Sequence, residues 1–288
     1  MPSSIKMNVT VVIPVKNEAQ NLLRCIEAVR SIGPVVVVDS GSTDNTQAVA
    51  RAGGAEVLDF KWDGKFPKKR NWTLRNHDFK TEWVLFLDAD EFVSPAFVKE
   101  VQAAITNTEH VGFWLNFSNH FMGKKLQGGD VFRKLALFRI GAGEYEKIEE
   151  DNWSHLDMEV HEHPVLEGSI GEISALIEHN DFRGLKHYID KHNEYSSWEA
   201  MRYRRLAGCE GGKVEKFEGQ EWSNLTGRQK KKYSNLAKWW FAPAYFVVSY
   251  FLKRGFLDGA VGFHFSLLKA IYFYQIRLKI LDANTKGT

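Results

Sequence analysis

Two cysteines in 288 residues, Cys25 and Cys209, leave no room for a disulfide framework and fall into no metal-binding spacing, so a reducing compartment fits better than a secreted scaffold. The first apolar run is not followed by a glycine-rich phosphate loop, which argues against a nucleotidyltransferase. The N-terminus MPSSIKMNVTVVIPV lacks a charged region leading into a long apolar stretch and a cleavage site, so no signal peptide is expected. No apolar stretch reaches the about 20 residues that a spanning helix needs. Formal charge is only +2, which gives no sign of a nucleic-acid partner. No internal repeat is evident. Hydrophobic residues make up 44% of the chain, enough to bury a full core in one large α/β domain with additions, or in two small ones.

The first hundred residues alternate between two periodicities. Val9 to Val15 is a β-branched run suited to a buried strand. Asn17 is the expected N-cap of the next helix, with Gln20 as its capping-box partner, and Leu22, Leu23, Ile26 and Val29 form its apolar face. Gly33-Pro34 stops that helix, and Val35 to Val38 is a second strand. The turn SGSTDNT leads into a helix to about Ala52. A short strand at Ala55 to Phe60, a helix around Lys68 to Asn76 and a strand at Trp83 to Leu87 follow. Ser94-Pro95 then opens a helix to about Ile105. This rhythm predicts an α/β fold with a parallel sheet, helices on both faces and ligands beyond the carboxyl ends of the strands. Asn17-Glu18, Asp39 and Asp88 to Asp90 all lie at such ends.

The segments GFWLNFSNHFMG and VFRKLALFRI, with the Gly128-Gly129-Asp130 turn between them, predict an antiparallel extension of that sheet. The stretch from Glu144 to Pro164 is polar and irregular, and from about Leu185 onward the chain is helical.

The abrupt passage from WVLFL into Asp88-Ala89-Asp90-Glu91 demands positive charge. Residues two apart in an extended chain point the same way, so Asp88 and Asp90 are expected to project together. A hard divalent cation, Mn²⁺ or Mg²⁺, suits such oxygen ligands and fills its other positions with substrate phosphates. The alternative is a solvated loop whose acids cap the next helix. Asp39 has two readings as well: acceptance from a base N–H or ribose hydroxyl, or local turn hydrogen bonds within Asp-Ser-Gly-Ser.

Three motifs taken together, Val11-Val12-Ile13-Pro14-Val15-Lys16-Asn17-Glu18, Val37-Val38-Asp39-Ser40-Gly41-Ser42-Thr43-Asp44 and Leu87-Asp88-Ala89-Asp90-Glu91, resemble the family 2 glycosyltransferases with a GT-A fold, over roughly the first 110 residues. The resemblance implies inverting transfer of a sugar from a nucleotide diphosphate donor, with a GT-A catalytic domain over 1–183. Residues 1–110 would form its nucleotide-sugar half and 111–183 its acceptor half. It implies that Pro14, Asn17, Glu18 and Asp39 line the base and ribose pocket, that Asp88 lies near the ribose and metal shell, and that Asp90 is the direct metal ligand. Lys69-Arg70-Asn71 resembles the family's short basic segment, whose cations would face the diphosphate or the acceptor; a solvated helix face is the other reading.

Inversion in one displacement needs a base for the acceptor hydroxyl. The candidates lie in Asp157-Met158-Glu159-Val160-His161-Glu162-His163-Pro164. A zinc site at His161 and His163 lacks a third ligand at recognisable spacing. Many family members carry Glu-Asp here. This chain departs from them and resembles a subgroup that includes bacterial lipopolysaccharide-core glucosyltransferases, with Val-His-Glu followed by a glycine-containing strand and a later histidine. Gly168, Gly171 and His179 stand in comparable places. Glu162 is the expected base, with Glu159 and Asp157 in reserve and His161 orienting the carboxylate. His179 reads equally as a ligand or as a packed structural histidine.

The helical region 184–288 contains the basic cluster GRQKKKY and then an apolar run of 14 residues, Trp239 to Leu252, interrupted by Pro243. A second apolar run contains Asp258, His264 and Lys269. Flanking Trp, Tyr, Lys and Arg suit a membrane surface, and a helical lid or dimer face is the alternative. The resulting expectation is a peripheral enzyme at the cytoplasmic face of a bacterial inner membrane. It would move a sugar, glucose being the candidate, from a UDP-sugar to a lipid-linked glycan in lipopolysaccharide core or exopolysaccharide synthesis. Transfer to a polyprenyl phosphate and a catalytically silent sugar-nucleotide sensor are the rival readings.

Overall fold

The structure is a computed structural model that describes residues 8–129, 132–147, 157, 163–181, 183–208 and 217–285. The chain forms two compact units, one of residues 1–120 and 131–182, the other of 121–130 and 183–288.

The first unit opens with β1 (Val9–Val15), α1 (Ala19–Val29), β2 (Val35–Asp39), α2 (Thr46–Ala52), β3 (Glu56–Asp59), α3 (Lys69–Asn76) and β4 (Trp83–Phe86). Next come β5 (Glu91–Phe92), α4 (Pro95–Ile105), β6 (Gly112–Phe121), β7 (Lys124–Lys125), which groups with the second unit, β8 (Phe132–Arg139), β9 (Gly143–Tyr145), β10 (Pro164–Leu166) and β11 (Ile170–His179). Among the described residues the main sheet runs β3-β2-β1-β4-β8-β6-β11-β5. Strands β1 to β4 are parallel, β8 is antiparallel to both β4 and β6, and β11 runs parallel to β6. This is the mixed sheet expected of a GT-A fold, with a parallel half and an antiparallel extension.

All seven residues of β1 and all five of β2 are buried, because helices cover both faces of a parallel sheet. Leu22, Ile26 and Val29 of α1 pack onto them, each such side chain contributing about 1.5–3 kcal/mol when fully buried. Leu23, assigned by its spacing to the same face, is exposed.

One proline shapes the rim. In the ladder between β1 and β4, Val12 accepts from the N–H of Leu87 at 3.1 Å. The next donor on that side would be residue 14, and Pro14 has no N–H. The ladder stops there, so the chain leaves the sheet at Asp88 instead of continuing the strand.

Helix α1 does not begin as its sequence suggests. Asn17 takes a positive φ of 58°, and Glu18 occupies the N-cap position without a side-chain cap hydrogen bond. Asn17 Oδ1 instead accepts from the Thr43 N–H at 2.8 Å. Helix α4 starts as expected, with Ser94 Oγ accepting from the Phe97 N–H and Pro95 at the first position.

The second unit is helical: α5 (Gly184–Leu206), α6 (Gln220–Asn224), α7 (Gly227–Leu236), α8 (Phe241–Val247), a π-helical turn at Val248–Leu252, a 3-10 turn at Gly255–Asp258, and α9 (Gly259–Thr285). Its core gathers Tyr203, Leu206, Tyr233, Leu236, Ile276 and Ile280. Segment 121–130, placed by the sequence with the sheet, groups with these helices because buried Asp258 accepts from the N–H groups of Gln127 and Gly128 at 3.0 and 2.9 Å. Among the described residues no helix is long and apolar enough to cross a membrane.

Candidate functional site

The carboxyl ends of β1 and β2 carry loops that are laced together, beside the end of β4. The Asn17 N–H donates to Ser42 Oγ and the Glu18 N–H to Thr46 Oγ1, both at 2.8 Å. The Ala19 N–H reaches Asp44 Oδ2 at 3.3 Å. The β1–α1 and β2–α2 loops therefore form one polar rim, built by serine, threonine and aspartate of the SGSTDNT turn. The sequence shows that stretch as a turn; its hydrogen bonds to the neighbouring loop depend on β1 and β2 lying side by side.

Asp39 ends β2 with no exposed surface. Its carboxylate accepts from the Ser42 N–H at 3.1 Å, from Ser42 Oγ, and from Gln47 Nε2 at 2.8 Å. Burial alone would raise its pKa, but the Ser42 and Gln47 hydrogen bonds prevail and hold it below the usual carboxylate range. The local-turn reading is thus present in the structure, with Asp39 bracing the rim from beneath.

Helix α3 buries its polar side. Lys69, Arg70, Asn71 and Thr73 are all buried, so the solvated-face reading of Lys69-Arg70 does not hold. Lys69 Nζ donates to the Val15 carbonyl at 3.0 Å and to Ser40 Oγ at 2.7 Å, and lies 3.4 Å from the Asp157 carboxylate. It ties the ends of β1 and β2 together. Burial lowers its pKa, partly offset by Asp157. Asn71 exchanges both amide bonds with the backbone of Tyr145 at 2.9 Å.

Asp88 and Asp90, at the turn that follows β4, take different partners. Asp88 accepts from Arg70 at 2.9 Å and from Lys134 Nζ at 2.5 Å. Lys134 also bridges to Glu91, whose side chain is fully buried. Burial would raise the Asp88 pKa, yet Lys134 and Arg70 keep it well below the ordinary range; Glu91 is raised by burial. Lys134 is raised against its own burial by Asp88 and Glu91. Lys134 escapes the sequence reading. It stands in a strand that also carries Arg133 and Arg139, and nothing in the sequence sets it apart from them.

Asp90 is buried, and its carboxylate lies 3.4 Å from His179 Nε2 at the end of β11. Burial would lower the His179 pKa, and Asp90 more than offsets it, so the imidazole is raised. The two are fixed by pairing of β11 with β5 and by the Asn180 N–H donating to the Asp90 carbonyl at 3.0 Å. Among the described residues no group of three or more His, Cys, Asp or Glu is gathered to hold an ion. Asp90 does fit: its carboxylate suits Mn²⁺ or Mg²⁺ whose remaining positions go to substrate phosphate, and His179 in its neutral form could add an imidazole to Mn²⁺. Asp88 fits less well, because two cations already occupy its oxygens.

Of the base candidates, Asp157 sits against Lys69, and its carbonyl accepts from the Lys69 N–H at 3.0 Å. Glu159, His161 and Glu162 lie outside the described residues.

The likeness to known proteins agrees with this geometry. The description Glycosyl transferase family 2 matches residues 10–153, half of the chain. An uncharacterised glycosyltransferase of Rickettsia typhi is 24% identical over 277 residues, covering 92% of this chain and 86% of that protein. The lipopolysaccharide core biosynthesis glycosyltransferase LpsC of Rhizobium meliloti is 25% identical over 275 residues, covering 92% and 88%. Among solved structures, glucosyl-3-phosphoglycerate synthase from Mycobacterium tuberculosis, in complex with Mn²⁺, UDP and glucosyl-3-phosphoglycerate, is 23% identical with a TM-score of 0.31. That match covers 42% of this chain and 46% of the synthase, so the chain spans under half its length. With the motif-bearing loops of the sheet rim inside the matched region, the chain belongs to glycosyl transferase family 2.

Proposed function

We propose that the protein transfers a sugar, with glucose the candidate, from a UDP-sugar to a lipid-linked glycan acceptor with inversion of configuration. The setting would be lipopolysaccharide core or exopolysaccharide assembly, at the cytoplasmic face of a bacterial inner membrane. The observation that carries this reading is the convergence of three strand ends on one rim, with Asp39 bracing it and the Asp90–His179 pair beside it. Similarity to a lipopolysaccharide core glycosyltransferase over most of the chain supports the acceptor class.

In this reading the loops around Asn17, Glu18 and Ser42 seat the nucleoside, and Asp90 with His179 would hold a divalent cation, which when bound would supply Lewis-acid stabilisation to the leaving diphosphate. Lys134 and Arg70 keep Asp88 ionised and fixed, so the turn that presents Asp90 is preorganised. The acceptor oxygen bonds to the anomeric carbon as the bond to the β-phosphate oxygen breaks, UDP departs, and the acceptor proton passes to a carboxylate. Glu162 is the proposed recipient, because Asp157 is already paired with Lys69.

The test offers the protein a panel of nucleotide sugars with extracted lipid-linked glycans and reads the mass added. Glu162→Gln is expected to bind UDP normally and to transfer at least about a hundredfold more slowly. Normal transfer by Glu162→Gln together with a dead Glu159→Gln moves the base to Glu159. Binding of a sugar nucleotide with no transfer to any acceptor favours a silent sensor.

A further inference from the structure

From the exposed corner that joins α8 to α9, we infer that the protein docks on an anionic lipid surface through Phe251, Leu252, Phe256 and Leu257. These four side chains are exposed, Leu252 by 74% and Phe251 by 55%, with Trp239 at 73% nearby in sequence. They do not stand singly. Tyr250 contacts the rings of Phe251, Phe256 and Phe263, with centroids 5.0, 6.4 and 5.7 Å away, and Phe246 lies against both Tyr250 and Phe263. The result is a continuous aromatic surface reaching onto α9. Phe263, Leu267, Ile271, Tyr274, Leu278 and Leu281 extend it along that helix at three- and four-residue spacing, all exposed.

Charge selects the occupant. Residues 238–257 contain Lys238, Lys253 and Arg254 and no aspartate or glutamate. All three cations are exposed, and Lys238 lies over the Trp240 ring. The neighbouring Asp258 is buried, accepting from the amides of Gln127 and Gly128, and lies 3.7 Å from the partly exposed cation of Lys124. Aromatic and aliphatic side chains edged by one sign of charge match the boundary of an anionic bilayer. A second copy docked face to face would oppose like charges. The 228–232 cluster is a weaker source of attraction than its sequence suggests: Lys232 is paired with buried Glu199, and Lys230 donates to the Ser223 carbonyl at 2.9 Å.

The corner is also closely packed. A Cβ on Gly128 would stand 2.2 Å from the Arg254 carbonyl oxygen, and one on Gly262 would stand 2.0 Å from that of Gly255. Backbone therefore packs directly on backbone beneath the exposed side chains.

The inference gives the proposed lipid-linked acceptor a physical reason to meet the enzyme, and in that sense rests on the transfer reading. The experiment separates the two: vesicle sedimentation without donor or acceptor, and transfer measured on a detergent-dispersed acceptor. Wild-type protein is expected to bind phosphatidylcholine vesicles containing phosphatidylglycerol, and to bind pure phosphatidylcholine more weakly. Leu252→Glu should lose at least about tenfold in partitioning. Lys253→Ser and Arg254→Asn, the latter suited to the left-handed φ of 59°, should each lose about fivefold on anionic vesicles only. Unchanged melting temperature and UDP affinity would show intact folds. A wild-type protein that ignores anionic vesicles overturns the inference, as do variants that bind like wild type. A dimer split by Leu252→Glu, with no vesicle binding, would assign the surface to a second copy. Vesicle binding without sugar transfer would leave the docking surface standing and remove the transferase reading.

Discussion

His179 Nε2 lies 3.4 Å from the Asp90 carboxylate, joining the last strand of the sheet to the turn that follows β4. Nearly ninety residues of chain separate the two, and the short antiparallel pairing of β11 with β5 brings them together. Both are drawn from loops and strand ends, yet both are held by backbone hydrogen bonds.

Asp90→Asn should abolish transfer, and should also lower the melting temperature, because His179 loses the buried anion beside it. A neutral amide is a poorer ligand for a hard cation, while the shape is retained. Isothermal calorimetry should show UDP binding strengthened by Mn²⁺ in wild type and independent of Mn²⁺ in the variant. Full activity in chelator would remove the cation from the reaction.

Asp39→Ala should weaken UDP binding and also lower stability by about 1.5–3 kcal/mol, the scale of a hydrogen bond to a charged group, here those from Ser42 and Gln47. The loss follows from the collapse of the Ser42 turn that Asp39 supports from beneath. Turnover at saturating donor should change less than affinity. An unaltered dissociation constant would take Asp39 out of the donor pocket's construction.

Lys134→Met should destabilise the first unit by about 3 kcal/mol at neutral pH, because fully buried Glu91 and partly exposed Asp88 lose their common cation. The sign with pH follows from Asp88, whose folded pKa is depressed. Its contribution is present above the ordinary carboxylate pKa and is lost as pH falls through the lower folded value. In the variant Arg70 still lowers Asp88, and the depression is reduced, while buried Glu91, already raised, loses Lys134 and takes up a proton in mild acid; the deficit against wild type should shrink toward about pH 5. Thermal melts across this range would show parallel curves if Lys134 is only a surface cation.

Gly128→Ala should be among the most damaging single-methyl changes in the second unit. The added carbon meets a backbone oxygen 2.2 Å away, and no side-chain rotation relieves it. Asp258→Ala, which leaves two loop amides without their acceptor, should cost about 1–3 kcal/mol. Denaturant melts compared with Gly141→Ala, at a turn with nothing within 4 Å, would separate crowding from backbone strain.

The strand and helix order of the first hundred residues, and the convergence of Asp39, Asp88 and Asp90 on strand ends, were determined by the sequence alone. Hydrophobic periodicity and turn chemistry are local, and a right-handed parallel crossover leaves few ways to arrange them. What only the tertiary structure decided is the partner of each charge. Asn17 looks like a cap because its neighbours suit a helix, but it takes a bond from Thr43 across the rim instead. Lys69 and Arg70 carry no apolar periodicity, and their burial follows from carboxylates and carbonyls supplied by other strands. Lys134 and His179 reach Asp88 and Asp90 only because β8 and β11 join the sheet beyond β4. Charges act through space over a few ångströms, and the sequence orders residues along a chain that folds back over tens of residues to bring them that close.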